Sequence, residues 1–229
     1  MPLGRRARVV VFGSVLVASG LAGPARAGSV GGKLELPPNP ERPPAATRGF
    51  LDRVENPLAP ARTFALTPHL LVALEGAGKP TASQVTWDLV GESFARPVIG
   101  ASVGGEVVIK NLSRQARTLV AAQDPNLIAA GPINPTGPKS FRASEPKIYT
   151  IADKDAPHLV GTVVVVDGFV ATVDDSGKFE FPDVPEGTYK LKVFFKDAWL
   201  DVTADVVVSA KGKSEVNPKL PALSASVKK

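Results

Sequence analysis

The stretch that decides the fold runs from Tyr149 to Phe195 and reads YTIADKDAPHLVGTVVVVDGFVATVDDSGKFEFPDVPEGTYKLKVFF. It contains an apolar run from Thr162 to Val166, which predicts a β-strand, and further strand-like runs follow it. Between two of these runs, Asp174–Gly177 reads DDSG, a hairpin turn in which Asp and Gly tolerate the left-handed backbone conformation. In the last run, apolar residues at 189, 191, 193 and 195 alternate with lysines, and Phe194 breaks the alternation. The stretch therefore predicts a series of consecutive β-strands.

Short strands are also predicted on both sides of this stretch, from alternating or continuously apolar runs bounded by turn residues. All the predicted strands together cover residues 32–36, 69–75, 84–90, 106–111, 117–122, 147–151, 161–166, 169–173, 178–181, 189–195 and 202–208. Residues 124–144 are rich in Pro, Gly and Asn and predict a long loop. No stretch after residue 27 keeps a helical period over three turns. Strands at roughly ten-residue spacing are typical of a β-sandwich, so the predicted fold class is all-β.

Residues 1–27 predict a secretory signal peptide. Arginines at positions 5, 6 and 8 precede an apolar run from Val9 to Leu21, and Ala25-Arg26-Ala27 has the small-x-small pattern of a cleavage site. The apolar run is too short to span a bilayer, although an uncleaved anchor is the alternative. We therefore expect a periplasmic or extracellular protein, cleaved after Ala27, with no membrane span in the mature chain.

Charge and cysteine content exclude several classes of function. Four of the 27 basic residues lie in the signal, which has no acidic residue, so the mature chain carries 23 basic against 22 acidic residues. This balance gives no reason to expect nucleic acid as a partner. The chain has no cysteine, which excludes disulfides, thiolate metal sites and iron–sulfur clusters. With only His69 and His158 as imidazoles, and no constellation of nucleophile, base and orienting group, we expect no enzyme.

Two segments are expected to lie outside the folded core. Residues 37–60 contain seven prolines, which remove backbone donors and fix φ, so they predict an extended surface excursion. Residues 211–229 contain five lysines and little apolar content. We expect this polar tail to be disordered.

A series of signals between Trp87 and Val166 resembles a known family. In order, they are Phe94-x-x-Pro97, the GGEVVIKN strand ending at Asn111, a strand beginning at Arg117, Tyr149-x-Ile151 and a strand beginning Leu159-x-Gly161. The order resembles the cupredoxin fold, in particular the exported cupredoxin-like proteins often labelled methylamine utilization protein. The resemblance implies a Greek-key β-sandwich.

The following residues resemble a second family. The hairpin VDDSGKF at residues 173–179 and the segment VPEGTYKL at residues 184–191 are similar to the carboxypeptidase regulatory-like, or transthyretin-like, module, which has a carbohydrate-binding-like fold. The two resemblances together imply a Greek-key β-sandwich of cupredoxin type combined with a small prealbumin-like β-sandwich.

The cupredoxin resemblance also implies where copper ligands would stand. A blue-copper site needs two imidazoles, one thiolate and a weak axial thioether. The resemblance places the first histidine at Arg117, the cysteine at Asp153, the second histidine at Ala156 and the axial methionine at Leu159. All four ligands are absent, so we expect no copper and no other cofactor.

Weaker candidate sites remain open. His158 could bind a divalent metal with Asp153 and Asp155, the alternative being a solvated loop. A calcium site could be formed by Asp174, Asp175 and Asp183, the alternative being ordinary hairpin residues. Arg114, Arg117 and Arg142 could form an anion site at the end of the sandwich where the resemblance implies copper ligands.

The order of the strands predicts one domain inserted into another, with two domains in tandem as the alternative. Residues 28–76 contain the first strands of the regulatory-like sandwich and the Pro-rich excursion, residues 77–167 form the cupredoxin-like domain, residues 168–210 supply the closing strands, and residues 211–229 form the tail.

For function, we expect an exported, non-enzymatic binding or structural protein of the cell envelope, with a glycan or an envelope protein as partner. The alternative is a metal-binding or electron-transfer protein with non-standard ligands. The aromatic residues nearest any sugar-binding surface are Phe179, Phe181, Tyr189, Phe195 and Trp199. The alternation predicts that most of them are core residues and that Trp199 is the exposed one.

Overall fold

The structure is a computed structural model that describes residues 27–36, 65–210 and 212–221. The predicted signal before Ala27, the Pro-rich segment 37–60 and the end of the predicted tail lie outside the described residues. No helix in the described ranges is long and apolar enough to cross a membrane.

The described chain consists of β-strands and one short 3₁₀ turn at Thr67–His69. The strands are β1 Ala27–Lys33, β2 Leu70–Gly76, β3 Gln84–Val90, β4 Ser93–Phe94, β5 Val98–Ser102, β6 Glu106–Asn111, β7 Leu119–Ala121, β8 Pro138–Arg142, β9 Ile148–Asp153, β10 Val160–Val166, β11 Phe169–Thr172, β12 Lys178–Pro185, β13 Gly187–Phe195, β14 Ala198–Val208 and β15 Lys213–Glu215. The predicted all-β class is therefore confirmed.

The strands form four sheets that stack on one another. Their strand orders are β12-β1-β15, β11-β2-β13-β14, β5-β10-β9-β7 and β4-β3-β6-β8. The first two sheets enclose one apolar core and form what we call the outer sandwich. The last two enclose a second core and form the inserted sandwich, because their strands β3–β10 lie between β2 and β11 in the chain. A smaller apolar layer joins the two middle sheets.

Strand β2 explains how the two sandwiches share a middle layer. Leu70, Val72 and Leu74 point into the core of the outer sandwich, whereas Leu71 and Ala73 point into the layer between the sandwiches. Successive side chains of a strand face opposite sides of its sheet, so a strand covered on both faces has to be apolar at every position. The run LLVAL meets this requirement.

Strand β10 of the inserted sandwich is likewise covered on both faces. Val163 and Val165 lie in the core of the inserted sandwich, and Val164 and Val166 face the outer sandwich. Phe194, which breaks the alternation of β13, is fully buried in the same intermediate layer. The break in the sequence pattern thus marks the place where the inserted sandwich covers β13.

The junction between the sandwiches is held by polar contacts as well. Arg96 donates from Nη2 to the carbonyl oxygens of Thr67 and Val173, at 3.2 and 3.0 Å, and its own carbonyl accepts a hydrogen bond from Trp87 Nε1 at 2.8 Å. Burial lowers the pKa of Arg96, and the nearby Asp175 carboxylate partly offsets this effect. One side chain therefore ties the inserted sandwich to two segments at one end of the outer sandwich, before β2 and after β11.

Several strands differ from the sequence-based expectation. The predicted loop 124–144 contains β8, an edge strand that begins with Pro138, a position where a missing backbone donor is tolerated. β5 was not predicted, because VIGAS is short and has little alternation. The first strand covers residues 27–33, earlier than the expected 32–36. Within the expected disordered tail, β15 pairs parallel with β1 and Leu220 is buried in the outer core, because the edge of β1 offers backbone partners.

Candidate functional site

The end of the inserted sandwich contains a buried ion pair. Arg117 precedes β7 and forms an isolated bridge with Ile133, and Asp153 is the last residue of β9, paired with Leu119 of β7. Arg117 Nη1 and Asp153 Oδ2 are 3.6 Å apart, and their side chains are only 6% and 1% exposed. The structure thus brings together two of the four positions at which the cupredoxin resemblance implies copper ligands.

The pair is only partly satisfied by hydrogen bonds. Arg117 Nη2 donates to the Gly91 carbonyl at 3.2 Å, and Asp153 Oδ1 accepts from the Asp155 backbone N–H at 2.9 Å. Arg117 Nε and Asp153 Oδ2 are buried and have no hydrogen-bond partner in the described part of the chain. Charge attraction, with incomplete hydrogen bonding, therefore holds the two groups together.

The other two positions lie on the loop that follows Asp153. The Asp153 N–H donates to the Leu159 carbonyl at 3.2 Å, and the Leu159 N–H donates to the Ala156 carbonyl at 2.9 Å. Ala156 and Leu159 are both buried in the inserted core. The four positions thus belong to one buried end of this sandwich.

These residues do not fit a copper ion. A guanidinium has no lone pair for a metal, and the side chains of Ala156 and Leu159 are hydrocarbon. Only Asp153 offers a donor, and it already faces the Arg117 cation. In the part of the chain that the structure describes, no group of three or more His, Cys, Asp or Glu residues could hold a metal ion.

The candidate metal site around His158 is not assembled. His158 Nε2 lies 3.5 Å from Glu92 Oε2, and both side chains are largely exposed. Asp153 instead faces Arg117 inside the sandwich. The loop turns the imidazole towards the β3–β4 turn, so the alternative of a solvated loop residue describes it better.

The aspartates proposed for calcium have other roles. Asp174 Oδ1 accepts from the Ser176 hydroxyl at 2.8 Å and from the Ser176 and Lys178 N–H groups at 2.9 and 2.8 Å. These hydrogen bonds, first that from the Ser176 hydroxyl, lower the pKa of Asp174. Asp175 accepts from Thr67 Oγ1 at 3.2 Å, and Asp183 has a positive φ of 54° within β12. They are turn and strand residues, as the alternative interpretation held.

The three arginines do not gather. Arg114 and Arg117 line one cavity of about 330 Å³. Arg142 is paired with Glu106, at 3.7 Å, and these residues lie at the opposite end of β6 from Asn111. The hypothesis of one anion site formed by all three was wrong because the antiparallel pairing of β8 with β6 carries Arg142 away from that end.

Sequence reasoning missed the role of Asn111. Its fully buried amide donates to the Gln115 and Ile133 carbonyls, at 2.8 Å each, and accepts from the Ser113 hydroxyl at 2.6 Å. The amide therefore holds the loop that leads to Arg117. An Asn that ends an apolar strand and is followed two residues later by Ser is the available sequence signal.

A groove lies between the two sandwiches. Its volume is about 280 Å³, and it is lined by Glu75, Trp199, the Pro146–Ile148 segment and β10 residues 164–166. Trp199 is 36% exposed, whereas the four other aromatic residues considered with it are buried, as the alternation predicted. The groove is thus the place where the exposed tryptophan meets the inserted sandwich.

Polar groups border this groove. Lys192 Nζ donates to Glu75 Oε2 at 2.6 Å, and the same Nζ lies 6.0 Å from the centroid of the Trp199 ring. The ring packs edge-to-face on Phe194, with centroids 5.3 Å apart. Trp199 is therefore held in a defined orientation beside an ion pair.

Comparisons with known proteins give partial similarities. Residues 168–216 match the family described as polysaccharide lyase family 4, domain II. The chain is similar to a solved structure of a reduced mutant amicyanin, with 16% identity, a TM-score of 0.33 and coverage of 36% of this chain and 81% of the other. It is also similar to a mutant plastocyanin of fern, with 17% identity, a TM-score of 0.31 and coverage of 36% and 100%. No match was found among curated proteins.

Proposed function

We propose that this chain is an exported, non-enzymatic binding protein of the cell envelope. In this proposal, the cupredoxin-like sandwich serves as a scaffold without a metal, and the ligand is a carbohydrate. The observation that carries the proposal of a metal-free scaffold is the buried Arg117–Asp153 pair. A cation and its counter-ion occupy positions where the resemblance implies copper ligands.

The chemistry of these positions supports the proposal. Two hydrocarbon side chains, a guanidinium and an engaged carboxylate cannot form the soft donor set that binds copper. The predicted signal supports export, and the match of residues 168–216 to a domain of a polysaccharide lyase family supports a ligand of the carbohydrate class. Electron transfer with non-standard ligands has less support, since His158 faces Glu92 and not Asp153.

Copper addition tests the metal-free part of the proposal. The purified mature chain is mixed with Cu(II) and, separately, with ascorbate and Cu(I), and its absorbance and thermal unfolding are recorded. We expect no intense blue band and no rise in melting temperature, because a ligand that binds only the folded state would raise it. A blue band, or a melting temperature that rises with copper concentration, would refute the metal-free scaffold and favour the metal-binding or electron-transfer alternative.

Export is tested by the N-terminus of the mature protein. The full chain is expressed in a bacterium, the periplasm is separated from the cytoplasm, and the N-terminal residue is sequenced. We expect the periplasmic form to begin at Gly28, which leaves Gly28 in its pairing with Val184 of β12. A protein that stays in the cytoplasm with residues 1–27 attached would refute export.

A further inference from the structure

We infer that a carbohydrate-binding site lies where the groove between the sandwiches borders β13 and β14. Trp199 is the stacking platform, and Glu75 and Lys192 are the hydrogen-bonding groups. The inference rests on the proposed function and gives it a location. The ligand class is a neutral sugar unit of a glycan.

The first step is the exposed face beside the groove. In β14 the residues that face away from the outer core are exposed, including Thr203 and Asp205, and Lys190 of β13 is exposed opposite Asp205. The inserted sandwich covers β2, β11 and Phe194 but not this half of the sheet. An exposed, largely polar sheet surface therefore borders the Pro146–Ile148 segment, and the groove lies along that border.

The second step is the fixed aromatic ring. Trp199 contacts Phe194, which is fully buried, so the indole rests on a rigid support. Trp87, the other tryptophan, is 1% exposed and stacks on Phe94. A held, partly exposed indole can stack on the apolar C–H face of a pyranose ring with little loss of side-chain entropy.

The third step is the charge at the site. Glu75 and Lys192 are each about one third exposed, and their 2.6 Å contact forms an ion pair with no net charge. Such a pair still accepts and donates hydrogen bonds, and sugar hydroxyls need both. A strongly charged ligand would have to compete with the existing ion pair, so a neutral polyhydroxyl ligand fits better.

The fourth step is size. The groove volume of about 280 Å³ lies just below the usual range of ligand pockets, which is about 300–1,000 Å³. A space of this size suits one or two sugar rings of a longer chain that continues over the exposed sheet. It does not suit a large apolar ligand, and a bound protein would need a more extensive apolar surface.

The test is a glycan array probed with the labelled mature chain. The array carries neutral hexose, N-acetylhexosamine and uronate oligosaccharides, and bound glycans are then titrated in solution by calorimetry. We expect binding to neutral oligosaccharides, weakened about tenfold or more by Trp199→Ala, as for an aromatic hot spot. Glu75→Gln keeps the side-chain shape, loses the charge-assisted contacts and should weaken binding by a smaller factor.

The matched control is Val90→Ala, which removes an exposed apolar side chain at the end of β3 in the inserted sandwich, outside the groove lining. This variant should bind as the wild type does, and the circular dichroism of all variants should be unchanged. Glycan binding that Trp199→Ala leaves unaffected would overturn the location but not the proposed function. If the chain bound no neutral glycan, the inference would be overturned. The copper experiment would still test the metal-free part of the proposed function separately. Preferential binding to the uronates would overturn the argument from charge.

Discussion

The buried Arg117–Asp153 pair allows a quantitative prediction. At 3.6 Å and an effective dielectric constant of about 20, two unit charges attract each other by about 5 kcal/mol. Against this attraction stand the desolvation of both ions, which costs several kcal/mol for each ion, and two buried atoms without hydrogen bonds, which cost about 1–3 kcal/mol each. The net contribution of the pair to stability is therefore close to zero or negative.

Single substitutions should nevertheless be harmful. Asp153→Leu leaves the Arg117 cation buried without its counter-ion, and Arg117→Met leaves the Asp153 carboxylate in the same position. Each should lower the free energy of unfolding by about 3–5 kcal/mol. The double variant Arg117→Met/Asp153→Leu removes both charges, and it should be about as stable as the wild type or up to about 4 kcal/mol more stable.

Urea unfolding of the four proteins, followed by circular dichroism at pH 7, gives the double-mutant cycle. The matched control is Arg142→Met, because Arg142 forms an exposed pair with Glu106 and should cost less than about 1 kcal/mol. A double variant that loses as much stability as the sum of the two single variants would refute the reasoning, since the two groups would then not be coupled.

Three further predictions concern the packing and the hairpin. Phe194→Ala removes the ring that joins the two sandwiches and should lower the free energy of unfolding by about 3–5 kcal/mol in urea unfolding; a loss below about 1 kcal/mol would mean that the layer is not packed. Gly161→Ala would place a methyl group in the ring of Trp87, so overpacking should cost about 1–3 kcal/mol, and unchanged stability would contradict the tight approach. Asp174→Asn should lower stability at pH 7 and should have a smaller effect at pH 3. The lowered pKa of Asp174 means that its stabilisation is present above the unfolded pKa of about 4 and is lost as pH falls through the folded value. An effect of equal size at both pH values would contradict the role of the charge.

Much of the fold could be predicted from the sequence, because a buried face makes apolar residues recur at a regular spacing. β3 and β6 match the predicted ranges, β2 is shifted by one residue at both ends, and β10 begins one residue earlier. Their apolar runs reflect one or two buried faces. The interruption at Phe194 was visible in the sequence, but its cause was not, since it depends on which other sheet covers that face.

The remaining features depend on partners distant in sequence. β15 has a polar sequence and is a strand only because β1 offers a free edge to it. Arg142 was assigned to the wrong end because the β6–β8 pairing could not be derived from a loop-like composition. The contact between Arg117 and Asp153 spans two strands, and the groove at Trp199 requires the two sandwiches to be placed against each other. Residue types suggested these candidates, but only the register of the strands brings them together.

Restoring the copper ligands tests the central claim most directly. The variant Arg117→His/Asp153→Cys/Ala156→His/Leu159→Met removes both members of the ion pair together, so it leaves no unpaired buried charge, and Leu→Met conserves volume. Wild type and variant, both verified as folded by near-ultraviolet circular dichroism, are titrated with Cu(II) while visible absorbance is recorded. We expect an intense blue band from the variant alone, because the four positions then supply the complete donor set at one buried end of the inserted sandwich. A folded variant that binds no copper, or a wild type that turns blue, would contradict the claim that the ion pair stands where a copper site would be.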